Sequence, residues 1–258
     1  MKIVVAAVLV FLGTIGVATP AAAERLVVSL SNHHVMITSN YTGVELVLFG
    51  SVEGDAGAAA GRGSYDIVAT ITGPRQSLRT RRKSRVLGIW VNTASRTFVD
   101  PPSYLAVLSS RPLDAITSAE NQRRLQLGIA DTPLPELINN DIGEVSSDPF
   151  RAALLQLMRK HGLYKEESNA VTFLTPALFR AAISLPADVP IGSYEVDVKL
   201  FADGHLIAQT DSAFEIVKVG FEQFVVNAAR QHGLLYGLAT AMMALLTGWI
   251  ASVAFRRD

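Results

Sequence analysis

Six cations crowd one short stretch of the chain: Arg75, Arg79, Arg81, Arg82, Lys83 and Arg85. Side chains alternate along an extended segment, so if residues 79–85 form a strand, Arg79, Arg81, Lys83 and Arg85 face the same way. Four cations on one face suit an anion, a lipid head group or an acidic partner surface. The same pattern suits a solvated edge strand, where cations discourage edge-to-edge pairing. Both readings stay open at the level of sequence.

No other residue set has the spacing of a reactive centre. His33 and His34 are adjacent, so in a strand they point to opposite faces and cannot share an ion. His161, His205 and His232 are accounted for by a helix end, a hairpin and a membrane flank. The HExxH, CxxC and GxSxG patterns are absent, and there is no cysteine at all, hence no disulfide framework and no thiolate chemistry. The glycine-rich run at 54–63, GDAGAAAGRG, lacks the Gly-Lys-Ser/Thr of a phosphate loop and reads as a connector. Glu166 and Glu167 are adjacent in an expected loop. The expectation is therefore a protein that is not an enzyme and holds no cofactor or metal. A hydrolase whose Asp, Glu and His meet only on folding is the third reading. With 23 basic and 23 acidic residues the formal net charge is zero, so no overall field favours nucleic acid.

These cations must be positioned relative to a membrane. Residues 233–255, GLLYGLATAMMALLTGWIASVAF, carry no charge and are followed by Arg256 and Arg257. Roughly 20 apolar residues cross a hydrocarbon core of about 30 Å, and a backbone in lipid must bond to itself, so this stretch is a helix. Tyr236 and Trp249 lie toward its ends, where such rings prefer the interface. Small residues recur every four positions at Thr240, Ala244, Gly248 and Ser252, and again at Gly233, Gly237 and Ala241, a spacing that lets helices approach closely in lipid. A second membrane protein is the partner this stripe would suit. At the other end, Lys2, the apolar run 3–17 and Ala21-Ala22-Ala23 read as a secretory signal over residues 1–23, with an uncleaved anchor as the alternative. Signal first and anchor last gives a bacterial inner-membrane protein crossing once, with its body periplasmic and its C-terminus cytoplasmic.

The body, residues 24–219, alternates in short β-forming runs: 26–30, 35–37, 44–49, 65–71, 86–91, 97–99, 104–108, then 171–174, 179–185, 194–201 and 205–219. Between them, about 113–165, the period turns helical. Thr117 and Glu120 have capping-box spacing. Asp148 is the expected N-cap of a helix starting at Pro149, with Phe150, Leu154, Leu157 and Met158 on one face and Gly162 ending it. Tyr194, Val196, Val198 and Leu200 alternate with Glu195, Asp197 and Lys199, as in a half-buried strand, and Asp203-Gly204 is a hairpin turn. Pro190 to Tyr194 is similar to the approach to a late strand in immunoglobulin-like domains, where a tyrosine closes a corner. Phe221, Phe224, Val225 and Ala228 share a helical face within residues 220–258. The fold expected is mainly β: an immunoglobulin-like antiparallel β-sandwich with a helical insertion, plus one C-terminal transmembrane helix.

Taken in order, Phe49-Gly50, Arg82-Lys83 leading into Gly88-Ile89-Trp90-Val91-Asn92, Pro102-Ser103-Tyr104, Ser109-Ser110-Arg111-Pro112-Leu113 and the terminal YG…TGW…FRR resemble the alphaproteobacterial transmembrane protein family, an uncharacterised single-pass family of roughly this length. The resemblance covers nearly the whole chain and supplies no functional residues. It implies a single-pass envelope protein of unknown function, and the transporter-accessory reading, of the anion- or sulfite-exporter type, is the guess it supports. The alternative is a periplasmic anion or lipid-head-group binding module using the basic strand.

Overall fold

The computed structural model describes residues 24–38, 41–54, 65–138, 141–143, 149–220 and 229–254. The expected signal segment, most of the 54–63 connector, the Asp148 cap, the 221–228 stretch and Arg256-Arg257 lie outside them.

Two sheets make the sandwich. One orders β1 (Arg25–Leu30), β3 (Gly43–Glu53), β12 (Leu178–Pro186) and β11 (Val171–Phe173) side by side. The other orders β10 (Tyr164–Ser168), β7 (Leu105–Ser109), β4 (Asp66–Thr72), β13 (Gly192–Ala202), β14 (His205–Lys218) and β2 (His34–Ile37). The period-two pattern of each strand sets the core. Leu26 and Leu30, Leu46 and Leu48, and Phe179, Ala181, Ile183 and Leu185 point inward from the first sheet. Ile67, Ala69 and Ile71, Ala106 and Leu108, and Tyr194, Val196, Val198 and Leu200 meet them from the second.

The strand orders follow the immunoglobulin plan, in which strands A, B, E and D form one sheet and C, F and G the other. β1-β3-β12-β11 stands for the first set and β4-β13-β14 for the second. β1 and β2 act as one interrupted first strand that changes sheets, so β2 pairs parallel with β14. Tyr194, at the start of β13, donates its hydroxyl to the Pro190 carbonyl at 2.6 Å, the corner expected from the sequence. Its ring stacks on Phe214, with centroids 4.9 Å apart, and meets Tyr104 edge-on at 5.8 Å. Burial holds the Tyr104, Tyr164 and Tyr194 phenols well above their usual pKa.

The sheets are not wholly antiparallel, because β10 also pairs parallel with β7. A parallel neighbour requires a crossover of a dozen or more residues, and the insertion is that crossover. It comprises α1 (Leu113–Ile116), α2 (Ala119–Leu125), a short β8 (Glu136–Ile138) and β9 (Asp141–Gly143) pair, and α3 (Pro149–Lys160). Val68, Leu105, Val107 and Phe201, on the outer face of the second sheet, pack under it against Leu113, Ile116, Leu127, Ile129, Phe150, Leu154 and Met158. The sheet is therefore covered on both faces around β7, β4 and the end of β13, and the expectation of a half-buried β13 fails at that end: Lys199 is only 7% exposed.

Local readings shift in the same region. Ser118 caps α2, accepting from the Asn121 N–H at 3.4 Å, while the Thr117 hydroxyl donates to the Gly204 carbonyl at 2.7 Å and is drawn into tertiary structure instead. On α3, Leu157 is 49% exposed and Arg151 takes a buried position, its guanidinium donating to the Ala130 and Thr132 carbonyls at 3.2 and 2.9 Å. Gly162, at φ +68°, ends α3 as expected, its N–H on the Arg159 carbonyl at 3.0 Å. Glu166 and Glu167 lie in β10 and not in a loop; the Glu166 carboxylate accepts from the Ile129 N–H at 3.3 Å. Asp203 and Gly204 form the expected two-residue turn, with φ of 50° and 83°.

Candidate functional site

β5 (Leu78–Val86) and β6 (Ile89–Phe98) form an antiparallel hairpin. The runs 86–91 and 97–99, read as separate strands from sequence, are divided differently: Leu87-Gly88 turns the chain between Val86↔Ile89, and 97–98 finish β6. Together with β8 and β9 the hairpin builds a third sheet of order β5-β6-β8-β9. β6 pairs with β8 only at Phe98↔Glu136, so the distal hairpin has no ladder on either outer edge among the described residues.

Its root is fixed. Phe98 is fully buried and Thr80 nearly so. The Arg82 and Arg96 guanidinium carbons lie 6.0 and 5.5 Å from the centroid of Phe150 on α3, within cation–π range. β5 is extended through 79–85, the condition for the alternation read from sequence, with a register irregularity between Arg82 and Lys83, and Arg79, Arg81, Lys83 and Arg85 are all exposed. Arg79 donates to the Ser95 hydroxyl at 3.0 Å and Arg85 Nε to the Gly88 carbonyl at 3.2 Å. No described carboxylate forms an ion pair with these four cations or with Arg82; the described pairs are His34–Glu215, Arg111–Asp66 and Lys199–Asp197. Residues 76–99 include no acidic residue, so the hairpin is a positive island on a chain of zero net charge.

The tip is the part sequence reasoning missed. Leu87 is 99% exposed, and Val86, Ile89, Trp90 and Val91 are exposed beside it. Leu87 and Gly88 have φ of 50° and 87°, the geometry of a type I′ turn that asparagine, aspartate or glycine ordinarily occupies. For leucine that left-handed conformation costs about 1–2 kcal/mol. The turn thus holds an apolar side chain in water at a position where an asparagine would be less strained. Gly88, set between Arg85-Val86-Leu87 and Ile89-Trp90-Val91, was the available signal.

A second concavity lies on the outer face of β4 and β13, beneath the insertion. It is 220 Å³ in volume, and its polar lining includes Thr70, Thr72, Arg75, Glu195, Asp197 and Lys199. The Lys199 ammonium pairs with the Asp197 carboxylate inside it. Opposite charges balance there, and among the described residues no group of three or more His, Asp or Glu side chains is placed to hold a metal ion.

The remaining expected site lies on α4 (Gly233–Ala254), 22 residues and hence about 33 Å long. It is the one described helix long and apolar enough to cross a membrane, and nothing in the body buries it. Thr240, Ala244, Gly248 and Ser252 fall along one side at intervals of four. The Thr240 hydroxyl donates to the Gly237 carbonyl at 2.9 Å, so its polarity is met within the helix. A Cβ added at Gly237 or Gly248 would meet nothing within 4 Å.

An immunoglobulin-like sandwich followed by a single candidate span defines a class, a membrane protein with a β-rich body and a helical anchor. Residues 25–257 match the family model Alph_Pro_TM, described as "Putative transmembrane protein", and the chain belongs to that family. No curated protein matches it in sequence. Among solved structures it is similar to the crystal structure of AggA, the major subunit of aggregative adherence fimbriae type I from Escherichia coli. That likeness is 9% in sequence identity and 0.27 in TM-score, over 76% of this chain and 95% of that one, and it carries no argument about either fold or function.

Proposed function

We propose that the protein is a non-catalytic interaction subunit of the bacterial inner membrane, held by α4 with its body in the periplasm and its C-terminus in the cytoplasm. The β5–β6 hairpin is its contact element. The observation that carries this reading is the tip, where Leu87, Ile89 and Trp90 stand in water beside cations that no described carboxylate pairs. Isolated exposed apolar residues are ordinary, but a contiguous apolar patch on a projecting element marks a contact surface. The small-residue side of α4 supports a second contact, with the helix of another membrane protein. The resemblance noted above makes a transporter of the anion- or sulfite-exporter type the partner to test. Arg79, Arg81, Lys83 and Arg85 favour an anionic surface on whatever the hairpin meets.

The test is site-specific photocrosslinking in native membranes, from position 87 on the hairpin and from position 180 on the outward face of β12. Adducts from 87 well above those from 180 support the reading, and equal yields from both overturn it. For the α4 contact, Gly248→Leu is expected to remove any co-purifying membrane protein in mild detergent. Recovery of a lone monomer before the substitution as well as after it would end that part.

A further inference from the structure

We infer that the surface met by the β5–β6 hairpin is an anionic lipid bilayer, the same one that α4 crosses, with the Leu87 tip seated at the acyl boundary. This rests on the hairpin being the contact element and names what it contacts.

The order of side chains from the tip backward matches the order of layers in a leaflet. Leu87 stands foremost, with Val86 and Ile89 paired directly behind it and Trp90 paired to Arg85. At about 3.4 Å per residue along a strand, Arg85 lies about 7 Å and Lys83 about 14 Å behind Leu87. A head-group region extends several ångströms beyond the hydrocarbon on each side. With the apolar tip at the hydrocarbon edge, Arg85 therefore stands at the depth of the phosphates, and Lys83 lies just behind them with a long stem that can carry its charge forward. Trp90 falls between the two layers, where an indole ring is most at home. Neither an edge-strand defence nor a soluble anion site calls for this arrangement. Defence needs the cations but not the leucine, and a free anion held in the 290 Å³ pocket that Arg81, Arg82 and Lys83 line with Phe150 would need neither Leu87 nor Trp90 at the tip.

Geometry makes the docking easy. β14 ends at Lys218 and α4 begins at Gly233, so fourteen residues, 219–232, join the body to its anchor. Even fully extended, fourteen residues reach no more than about 50 Å, so the body stays within reach of the leaflet it faces. The contact is then intramolecular, and a weak affinity suffices to populate it. The hairpin's root, held by Phe98 and by Arg82 and Arg96 against Phe150, gives the tip a firm base.

The chain has two tryptophans, Trp90 and Trp249, so Trp249→Phe leaves Trp90 as a single reporter. The full chain with that substitution is reconstituted in nanodiscs of phosphatidylcholine alone or with phosphatidylglycerol, and Trp90 quenching by brominated lipid and by aqueous acrylamide is compared. Docking predicts strong brominated-lipid quenching and acrylamide protection in the anionic discs, and much less of both in the zwitterionic ones. Lys83→Gln with Arg85→Gln lowers the docked-to-free ratio about 25-fold, at about fivefold per cation removed. Leu87→Asn, which suits the turn better and so leaves the fold intact, also reduces the lipid quenching. Trp90 equally open to acrylamide in both discs and in detergent overturns the inference, as does quenching that ignores lipid charge. The wider reading stands apart from either failure if position 87 still crosslinks to a protein well above position 180, and falls if the two yields are equal.

Discussion

Gly50 offers a sharp test of how the sandwich is packed. It sits mid-strand in β3, directly opposite Phe179 of β12. A Cβ placed on Gly50 would lie 2.6 Å from Phe179 Cε1 and closer still to Cζ. That ring has nowhere to go, being fully buried and packed against Phe173 with centroids 5.8 Å apart. Replacing a strand glycine by alanine should by itself stabilise by about 0.5–1 kcal/mol, through lost freedom of the unfolded chain. Overpacking a buried ring costs about 1–3 kcal/mol, and so close an approach belongs at the upper end. The net expectation for Gly50→Ala is a loss of about 2 kcal/mol. For a body of this size that lowers Tm by about 4–8 °C, read by circular dichroism melting of the full chain in detergent. Combining Gly50→Ala with Phe179→Leu, which trims the obstructing ring, should be less damaging than the sum of the two singles by about 1 kcal/mol. A Gly50→Ala protein that melts at or above the wild-type temperature would refute the packing argument.

Other perturbations probe the polar ties. Tyr194→Phe removes the 2.6 Å bond to the Pro190 carbonyl at the corner and should cost about 1 kcal/mol, measured by urea unfolding with an unchanged slope. Arg111→Ala strips the guanidinium from Asp66, whose buried carboxylate keeps only the Ser110 hydroxyl at 2.9 Å; a loss of about 1–3 kcal/mol is expected in the same assay. Alkaline titration should be destabilising: the Tyr104, Tyr164 and Tyr194 phenols have folded pKa values raised by burial above the unfolded value near 10. Their contribution is intact below about pH 10 and is lost as the pH rises past it, because the unfolded chain then releases protons that the folded chain retains. Tm should therefore be flat from pH 7 to 9 and fall steeply above 10, and triple replacement by phenylalanine should flatten the fall.

Much of the architecture was legible because it depends on local period. Alternation in β3, β12 and β13 marks inward residues whatever the partner strand. The Asp203-Gly204 turn and the Gly162 stop follow from backbone geometry that few residues tolerate. The uncharged run 233–255 identifies α4 by solvent preference alone, and the Arg79-Arg81-Lys83-Arg85 alternation follows from period two once the segment is extended. Other features rest on neighbours far away in the chain. Lys199 reads as a solvent-facing strand residue until an insertion from 113–160 is laid over it, and Leu157 and Arg151 exchange exposure because the helix is rotated by what it packs against. Glu166 and Glu167 join a sheet only because β7, some sixty residues earlier, offers an edge. The tip of the β5–β6 hairpin belongs to the same class. Its residues resemble an ordinary strand run, and only the tertiary structure leaves them without a neighbour. Burial is decided by which surfaces meet, and no single stretch of chain carries that information.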